Sequence, residues 1–319
     1  MKVPRRITDL LNRKQEFIDF NRDKLEKSVI KIQSKLLDQI NATIIPQLDV
    51  KDGLLLDTTN NYRLIGELDK VYNDFTNISS KLITAQVSGV TKGLVDMGKN
   101  YFSAVLPELG KRFENIISAT AKKMNLRIGL ANDVAFRGGF LDSIIKDPSL
   151  NTQIKNYIGK SVAGQIDMKE FIKGLSEIVN GDKGTGALEK QYQQYAYDIY
   201  QQYDAAYNAA LSDEFGMKYF IYQNGLVVDS RDFCAAHDGK VWSKDEAVLW
   251  PKWTPSKGEY PEGYEVKAKD LYSVPGYMNY IGYQPLIDRG GYKCRHVLGY
   301  ISDDLAFDLR PELKKLKNS

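Results

Sequence analysis

Apolar residues near the start of the chain recur at steps of three and four, and this spacing constrains the fold more than any other feature. Between Ile7 and Ile45 they alternate with charged residues. An α-helix has about 3.6 residues per turn, so this spacing places the apolar side chains on one face. The sequence therefore predicts a long amphipathic helix that ends at Pro46. Its apolar stripe is Ile18, Leu25, Val29, Ile32, Leu36 and Ile40.

A second helix is predicted to begin near Asn60, after a loop at residues 49–61 that contains Asp52-Gly53. Between Ala85 and Phe140 the helical spacing continues but is interrupted by glycine and proline, which favours several helices with loose joints. The predicted stripe of the second helix is Leu64, Leu68, Val71, Phe75, Ile78 and Leu82, and the interruptions are Gly89, Gly93, Gly98, Pro107, Gly110, Gly129, Gly138 and Gly139.

Two more helices are predicted in the second half of the chain. One is a short amphipathic helix from Ile166 to Val179, and residues 180–186 then form a loop. The other is the most regular helix of the sequence, residues 188–215, which Gly216 is placed to end. Tyrosines lie on its apolar repeat, so we expect a core or interface stripe, with a base-stacking platform as the alternative.

The spacing changes from helical to extended at Lys218. Residues 219–222 and 226–228 are rich in β-formers and flank Asn224-Gly225, a pair typical of tight hairpin turns. The sequence therefore predicts a β-hairpin at residues 218–229. A capping-box pattern at Ser243 to Glu246 predicts a short helix that ends before Pro251.

The expected fold class is mainly α with a small α+β module at the C-terminus. With 319 residues, 43% of them apolar, the chain can bury at least one full core. We expect a helical assembly region at residues 1–150, with a possible role in homo-oligomer formation, and a second module at residues 151–319. The second module comprises the helix at 188–215, the hairpin at 218–229 and a Cys/His cluster at 229–302.

Composition excludes several classes of protein. The net charge of +3 is small for a chain that coats nucleic acid, although local basic patches are compatible with it. The basic start of the chain leads into charged residues rather than an apolar core, so no signal peptide is expected, and no membrane span is expected either. Two cysteines are too few for a secreted disulfide framework.

Both histidines, both cysteines and all three tryptophans lie between Cys234 and His296. Such clustering indicates a compact module with its own stabilising device. Cys234 and His237 form a Cys-x2-His pair, and Cys294 and His296 form a Cys-x-His pair. Two thiolates and two imidazoles match a closed structural zinc site, whose binding energy also contributes to folding.

Other interpretations of the same four residues stay open. They could form a packed polar cluster without a metal, in which the histidines bond to carbonyl groups, Asp232 or Asp238. Cys234 and Cys294 could form a disulfide. His237 and His296 could instead act as acid and base in phosphodiester cleavage.

Two arginines flank the cluster in the sequence. Arg231 and Arg295 could contact a phosphate or a partner's carboxylate, or they could pair with Asp229, Asp232 or Asp238. Arg231, Asp232 and Arg295 are therefore candidates for structural or partner contacts.

The order of these features resembles the C-terminal domain of phage minor head proteins related to the F protein of phage Mu and the gene 7 protein of phage SPP1. That family combines a tyrosine- and alanine-rich helix, a strand or hairpin, an Asp-Ser-Arg-x-x-Cys segment followed by glycine, and a terminal Cys-Arg-His or Cys-Arg-Cys. Here the resemblance covers roughly residues 160–302. His237 stands where many relatives place a second cysteine, which keeps a possible ligand but changes its type. The matching elements are the helix at 188–215, the hairpin, Asp229 to Cys234 with Gly239, and Gly290 to His296.

The resemblance implies a non-enzymatic virion protein, made in the host bacterial cytoplasm and located in the head interior. The partners that the resemblance implies are the portal, the scaffold or the major capsid protein, with encapsidated DNA a weaker candidate. The function that it implies is head assembly or DNA packaging and ejection. Two alternatives remain: a nuclease-like or toxin enzyme that uses His237 and His296, and a host helical adaptor with a zinc-stabilised module.

Overall fold

The computed structural model describes residues 3–108, 110–181, 187–223, 226–228, 230–250, 282–291 and 294–316. The structure is 70% helical, which confirms a mainly α fold with a small α+β module. The helices of the first half are α1 (Arg5–Thr43), α2 (Thr59–Val105), α3 (Gly110–Arg127) and α4 (Phe140–Ile145). Short two-residue strands form two antiparallel pairs, β1 (Val50–Lys51) with β2 (Leu54–Leu55) and β3 (Leu130–Ala131) with β4 (Val134–Ala135).

The second half contains further helices and a three-stranded sheet. They follow in the order α5 (Ser149–Ala163), α6 (Met168–Asn180), α7 (Ala187–Glu214), β5 (Tyr219–Gln223), α8 (Asp232–His237), β6 (Lys240–Ser243) and α9 (Lys244–Val248), then α10 (Pro285–Asp288), β7 (Val297–Ile301), α11 (Asp303–Leu309) and α12 (Leu313–Leu316). The predicted capping box of α9 is present, with Ser243 and Glu246 bonding to each other's backbone N–H. No helix among the described residues is long and apolar enough to cross a membrane.

Helix α1 confirms the long amphipathic helix predicted from the sequence. Its predicted stripe is buried throughout, from Ile18 to Ile40. The helix ends three residues before Pro46, and a single 3₁₀ turn, Ile45–Gln47, follows it. Proline is tolerated in the first turn of such a segment because the first N–H groups have no helical partner.

The predicted breaks at Gly89, Gly93 and Gly98 are wrong, because α2 continues through all three to Val105. Tertiary packing explains two of them. A Cβ atom on Gly93 would lie 2.5 Å from the ring of Phe17, and one on Gly98 would lie 2.7 Å from the ring of Tyr207. Glycine costs about 1 kcal/mol in a helix relative to alanine, and here it allows aromatic rings to approach the backbone closely. The breaks predicted around Pro107, Gly129 and Gly138-Gly139 do separate helices.

We expect Gly93→Ala to destabilise the protein by about 1–2 kcal/mol, since the ring of Phe17 must shift and this cost exceeds the gain in helix propensity. Gly89→Ala is the matched control in the same helix, because a Cβ there meets nothing within 4 Å. It should stabilise the protein by about 0.5–1 kcal/mol. Urea unfolding measures both changes, and equal effects of the two substitutions would contradict the close contact at Gly93.

The strands β6, β5 and β7 form one antiparallel sheet in that order, with β5 in the middle. Phe220 of β5 lies opposite Trp242 of β6 and Tyr300 of β7. The prediction that residues 226–228 form the second strand of a hairpin is wrong, since they are outside any strand and β5 pairs with distant segments. The predicted turn residues Asn224 and Gly225 lie outside the described residues.

The chain divides into two compact units that are interleaved in the sequence. Unit 1 is Met1–Phe20, Gly89–Asn125 and Asp198–Ser319, and unit 2 is Asn21–Ser88 and Leu126–Tyr197. The predicted boundary near residue 150 is not a point at which the chain passes between these units. An assembly role for residues 1–150 stays a prediction.

Unit 2 contains the later part of α1, from Asn21 onward, and the first part of α2, up to Ser88, together with α5 and α6. Asn61 is fully buried and fixes the loop that precedes α2, since its amide donates to the carbonyl groups of Asp49 and Leu56. Helix α6 begins at Asp167, whose carboxylate accepts from two backbone N–H groups, and confirms the predicted short amphipathic helix. The ring of Tyr157 on α5 stacks on that of Phe171 on α6 at 5.8 Å.

Unit 1 contains the three-stranded sheet and a buried face of α7. Tyr200, Tyr203 and Tyr207 are all at most 2% exposed, as expected for a core stripe. Such burial leaves their rings no free face for a base. The side chains of Tyr192 and Tyr195 lie outside the described residues. Gly216, with φ of +65°, follows the end of α7 as predicted.

A buried ion pair crosses the core of unit 1. Lys14 of α1 is 2% exposed, and its ammonium lies 3.1 Å from a carboxylate oxygen of Asp204 on α7. The same ammonium donates to the amide oxygen of Asn208 at 3.2 Å and lies over the ring of Tyr101. A buried charge is tolerated when it is paired and hydrogen-bonded, and Lys14 meets both conditions.

Candidate metal centre

The topology of the sheet brings the predicted cluster to one edge. In an antiparallel sheet with β5 in the middle, the end of β5 lies beside the starts of both β6 and β7. Tyr222, near the end of β5, pairs with Lys240 and Leu298. The segment before β6 is α8, which carries Cys234, and the segment before β7 carries Cys294 and His296. Residues about sixty positions apart in sequence therefore meet at the same edge.

Three of the four predicted ligands come together there. The ligand atoms of Cys234, Cys294 and His296 all lie within 4.8 Å of one another. The two sulfur atoms are 4.0 Å apart, and the Sγ of Cys294 is 3.7 Å from Nδ1 of His296. All three residues are at most 4% exposed, and both cysteines are free thiols. A disulfide would need the sulfurs to approach to about 2.05 Å.

These separations fit a bound metal ion. Around a tetrahedral zinc ion with bonds of about 2.3 Å to sulfur and 2.0 Å to nitrogen, neighbouring sulfurs lie about 3.8 Å apart, and sulfur and nitrogen about 3.5 Å. The observed distances of 4.0 Å and 3.7 Å are within a few tenths of an ångström of these edges. These two separations fit, and all three donors lie within 4.8 Å of one another, so the cluster could hold a metal ion.

Asp238 lies beside the imidazole of His296. Its carboxylate oxygen lies 3.2 Å from Nε2 of His296, while Nδ1 of the same ring faces the sulfur of Cys294. Burial lowers the pKa of His296, but the contacts with Asp238 and Cys294 outweigh it and raise the pKa above its ordinary value. A carboxylate behind a histidine is the usual outer partner of a metal ligand, since it fixes which ring nitrogen faces the metal.

The two thiols differ in their tendency to ionise. Burial would raise the pKa of Cys294, but hydrogen bonds with Cys234 and His296 hold it well below its ordinary value. The hydrogen bond with Cys294, together with burial, raises the pKa of Cys234. A thiolate is the form that binds metals, and the contacts of Cys294 with His296 and Arg289 favour that form.

His237, the fourth predicted ligand, lies outside the three-residue group. Its Nδ1 is 2.7 Å from the carbonyl oxygen of Phe233, and its ring is stacked between Phe233 at 3.8 Å and Trp242 at 4.4 Å. Burial lowers the pKa of His237 to about 3, so the ring is neutral at pH 7. The structure thus places His237 in an aromatic stack next to the cluster.

Two residues at the cluster were missed by the sequence analysis. The hydroxyl of Tyr222 lies 3.5 Å from the sulfur of Cys234 and 3.2 Å from that of Cys294, and its ring stacks on His296 at 4.3 Å. Gly290 lies against both sulfurs, since a Cβ there would be 2.6 Å from Cys234 Sγ and 3.2 Å from Cys294 Sγ. Gly290 belongs to the segment that resembles the phage family, but its contact with the sulfurs, like that of Tyr222, depends on strand pairing between distant segments.

The two arginines predicted to contact the cluster or a partner have other partners than the predicted aspartates. Arg231 donates to the carbonyl oxygen of Gly290 at 3.2 Å. Arg295 pairs with Asp19 of α1, a partner that the sequence did not suggest. Asp232 is fully buried at the start of α8, and among the described residues neither carboxylate oxygen has a hydrogen-bond partner. Asp229 lies outside the described residues.

Comparisons with known proteins gave no match: no protein-family model, no curated protein and no solved structure is similar to this chain.

Proposed function

We propose that this chain is a structural minor head protein of a tailed bacteriophage, whose C-terminal module is stabilised by a zinc ion held by Cys234, Cys294 and His296. The observation that carries the zinc assignment is the convergence of three buried donors from two distant segments. The virion assignment is supported by the order of elements, a tyrosine-rich helix, a strand, and the two Cys-containing segments, which resembles the phage family.

Zinc is the metal that best suits these donors. Two thiolates and one imidazole form a borderline-soft set, which zinc binds well, whereas magnesium and calcium prefer oxygen. The ion would join the segment of α8 to the segment before β7 at the edge of a sheet with only three strands. Such a link stabilises a small module because metal binding and folding are thermodynamically coupled.

Burial supports a structural role over the alternative of an acid–base enzyme. His237 is 0% exposed and His296 is 1% exposed. A general acid or base must come within hydrogen-bond reach of its substrate, and a phosphodiester chain needs an open surface for this. Both ring nitrogens of His296 already have neighbours, since Nε2 faces the carboxylate of Asp238 and Nδ1 faces the thiol of Cys294.

The long helices α1 and α2 supply surface for the proposed partners, which are the portal, the scaffold or the major capsid protein. Each carries large apolar side chains that face solvent, with Phe20 66% exposed, Ile78 51% exposed and Leu82 49% exposed. Ile78 and Leu82 are four residues apart on α2 and so lie on the same face, and exposed apolar side chains that group together are typical of sites that contact other proteins. Encapsidated DNA is a weaker candidate because the net charge is only +3.

Mass spectrometry of purified phage particles tests this function, with the ratio of this chain to the portal protein as the readout. We expect the chain in particles at a ratio of few copies per portal, and its gene beside those of portal and terminase. Particles that contain portal but lack this chain, while the chain is abundant in the infected cell, would contradict a virion role. The alternative of a host helical adaptor predicts that result, with the chain in the cell but not in the particles.

A further inference from the structure

Three donors leave one position of a tetrahedral metal site to be filled, and the hydroxyl of Tyr222 lies beside the cluster. Tyr222 is fully buried, and its oxygen is 3.5 Å and 3.2 Å from the two sulfurs. Around a tetrahedral zinc ion, an oxygen ligand lies about 3.5 Å from a neighbouring sulfur. The hydroxyl is therefore placed where a fourth ligand would stand with respect to both cysteines.

We propose that the phenol oxygen of Tyr222 is the fourth ligand of the metal, in a Cys234, Cys294, His296, Tyr222 site whose centre is kept open by Gly290. This inference rests on the proposed zinc-stabilised module. On binding, the O–H bond of the phenol and the S–H bond of each protonated thiol are replaced by bonds to the metal, and the released protons pass to the solvent. No electron is transferred.

Gly290 marks the point at which the donors converge. A Cβ built on this residue would lie 2.6 Å from Cys234 Sγ, 3.1 Å from Tyr222 Oη and 3.2 Å from Cys294 Sγ. One point is thus close to three donor atoms, and it is free of side chain because residue 290 is glycine. The φ of Gly290 is not in the left-handed region, so its lack of a Cβ is explained by this space rather than by the backbone. Arg231 holds the segment in place by donating to the carbonyl oxygen of Gly290.

Packing suits Tyr222 as a ligand, and because burial and the neighbouring thiols raise the pKa of Tyr222, the phenolate forms only when a metal ion takes the place of the proton. The ring of Tyr222 stacks on the His296 ring at an interplanar angle of 23°, so neither donor needs to be ordered when the metal binds. Two thiolates and a phenolate together carry three negative charges, whereas a Zn²⁺ ion carries two positive charges, so one negative charge remains. The positive charges of Arg231 and Arg289 act on Cys234 and Cys294 respectively, and Arg289 is itself buried. These guanidinium groups offset the excess negative charge.

Zinc titration of the full chain under reducing conditions tests the ligand. When zinc is added, the wild type should develop the ultraviolet difference band of tyrosinate, and Tyr222→Phe should lack this band and bind zinc at least about 10-fold more weakly. Tyr300→Phe is the matched control, since it removes another buried hydroxyl from the same sheet. It should keep both the band and the affinity. A tyrosine that only donates a hydrogen bond to the thiolates would lower affinity in Tyr222→Phe but give no tyrosinate band in the wild type, and that result overturns the proposal.

A second variant keeps all four donors and fills the space between them. Gly290→Ala should lose zinc binding by at least about 10-fold, whereas Gly66→Ala, where a Cβ meets nothing within 4 Å, should bind zinc as the wild type does. Zinc binding of Gly290→Ala at wild-type affinity would overturn the proposed position of the metal. The failures are distinguishable: a wild type that binds no zinc overturns the zinc-stabilised module itself, whereas zinc binding without a tyrosinate band overturns only the role of Tyr222.

Discussion

Cys294→Ser should lower the zinc affinity of the chain by more than about 100-fold, because changes at the outer partners of a metal site alone cost about 10- to 100-fold. Cys294 is the residue that contacts the other donors on both sides, with Cys234 Sγ at 4.0 Å and His296 Nδ1 at 3.7 Å. At a free zinc concentration about 1,000 times the dissociation constant, binding stabilises the wild type by about 4 kcal/mol, and the variant loses most of this. Chelator competition gives the affinity, and urea unfolding with and without zinc gives the stability.

Val297→Ala is the control for this substitution. Val297 is 1% exposed and begins the strand that follows His296, but it offers no metal ligand. The variant should lose stability through the cavity that it creates, and its zinc affinity should stay at the wild-type value. A Cys294→Ser protein whose stability responds to zinc as strongly as that of the wild type would contradict the metal centre.

Lys14→Met should destabilise the protein by about 3–5 kcal/mol, because removal of one partner leaves a buried charge without compensation. The side chains of Lys14 and Asp204 are 2% and 4% exposed, and their charged atoms are 3.1 Å apart. The double substitution Lys14→Met with Asp204→Asn removes both charges. It should therefore be more stable than Lys14→Met alone, and urea unfolding of the four proteins gives the coupling free energy.

An exposed ion pair provides the comparison for the Lys14 cycle. Arg63 and Glu67 lie one turn apart on α2, with side chains 53% and 44% exposed. Arg63→Ala should change the free energy of unfolding by no more than about 1 kcal/mol, since water screens such pairs. For the buried pair, equal stability of Lys14→Met and of the double variant Lys14→Met with Asp204→Asn would contradict the prediction. It would mean that the unpaired carboxylate of Asp204 is not the cause of the destabilisation.

The helices could be predicted from the sequence because their signals are local. The apolar stripe of α1, the capping box of α9 and the final Gly216 each depend on residues within a few positions. The continuity of α2 could not be predicted in the same way. Gly93 and Gly98 look like helix breakers until their contacts with Phe17 and Tyr207 are known, and those residues are far away in the sequence.

The sheet illustrates the same limit. Residues 219–222 were predicted to be extended, and they lie in β5. The sequence predicts that they pair with residues 226–228, because a short turn between two runs of β-formers is the strongest local signal for a hairpin. The actual partners, β6 and β7, are specified by burial on the two sides of β5 rather than by a turn. A local pattern carries no information on such long-range pairing.

For the metal centre, the chemistry of the donors could be predicted but not their complete set. Clustering of cysteine and histidine indicated Cys234, Cys294 and His296, which the structure brings together. It also indicated His237, which the structure holds in an aromatic stack with Phe233 and Trp242. Asp238, a candidate partner of the histidines from the sequence, lies beside His296. Tyr222 has no local signal of its contact with the sulfurs, since a tyrosine in a strand has many ordinary roles.

We propose that one metal ion joins the two cysteine-bearing segments of the C-terminal module. The most direct test is the metal content of the full-length chain, equilibrated with zinc under reducing conditions, passed through a desalting column and measured by inductively coupled plasma mass spectrometry. We expect about one zinc ion per chain in the wild type and none in a Cys234→Ser, Cys294→Ser double variant. A wild-type chain that retains no zinc, or a double variant that retains as much as the wild type, would contradict the claim.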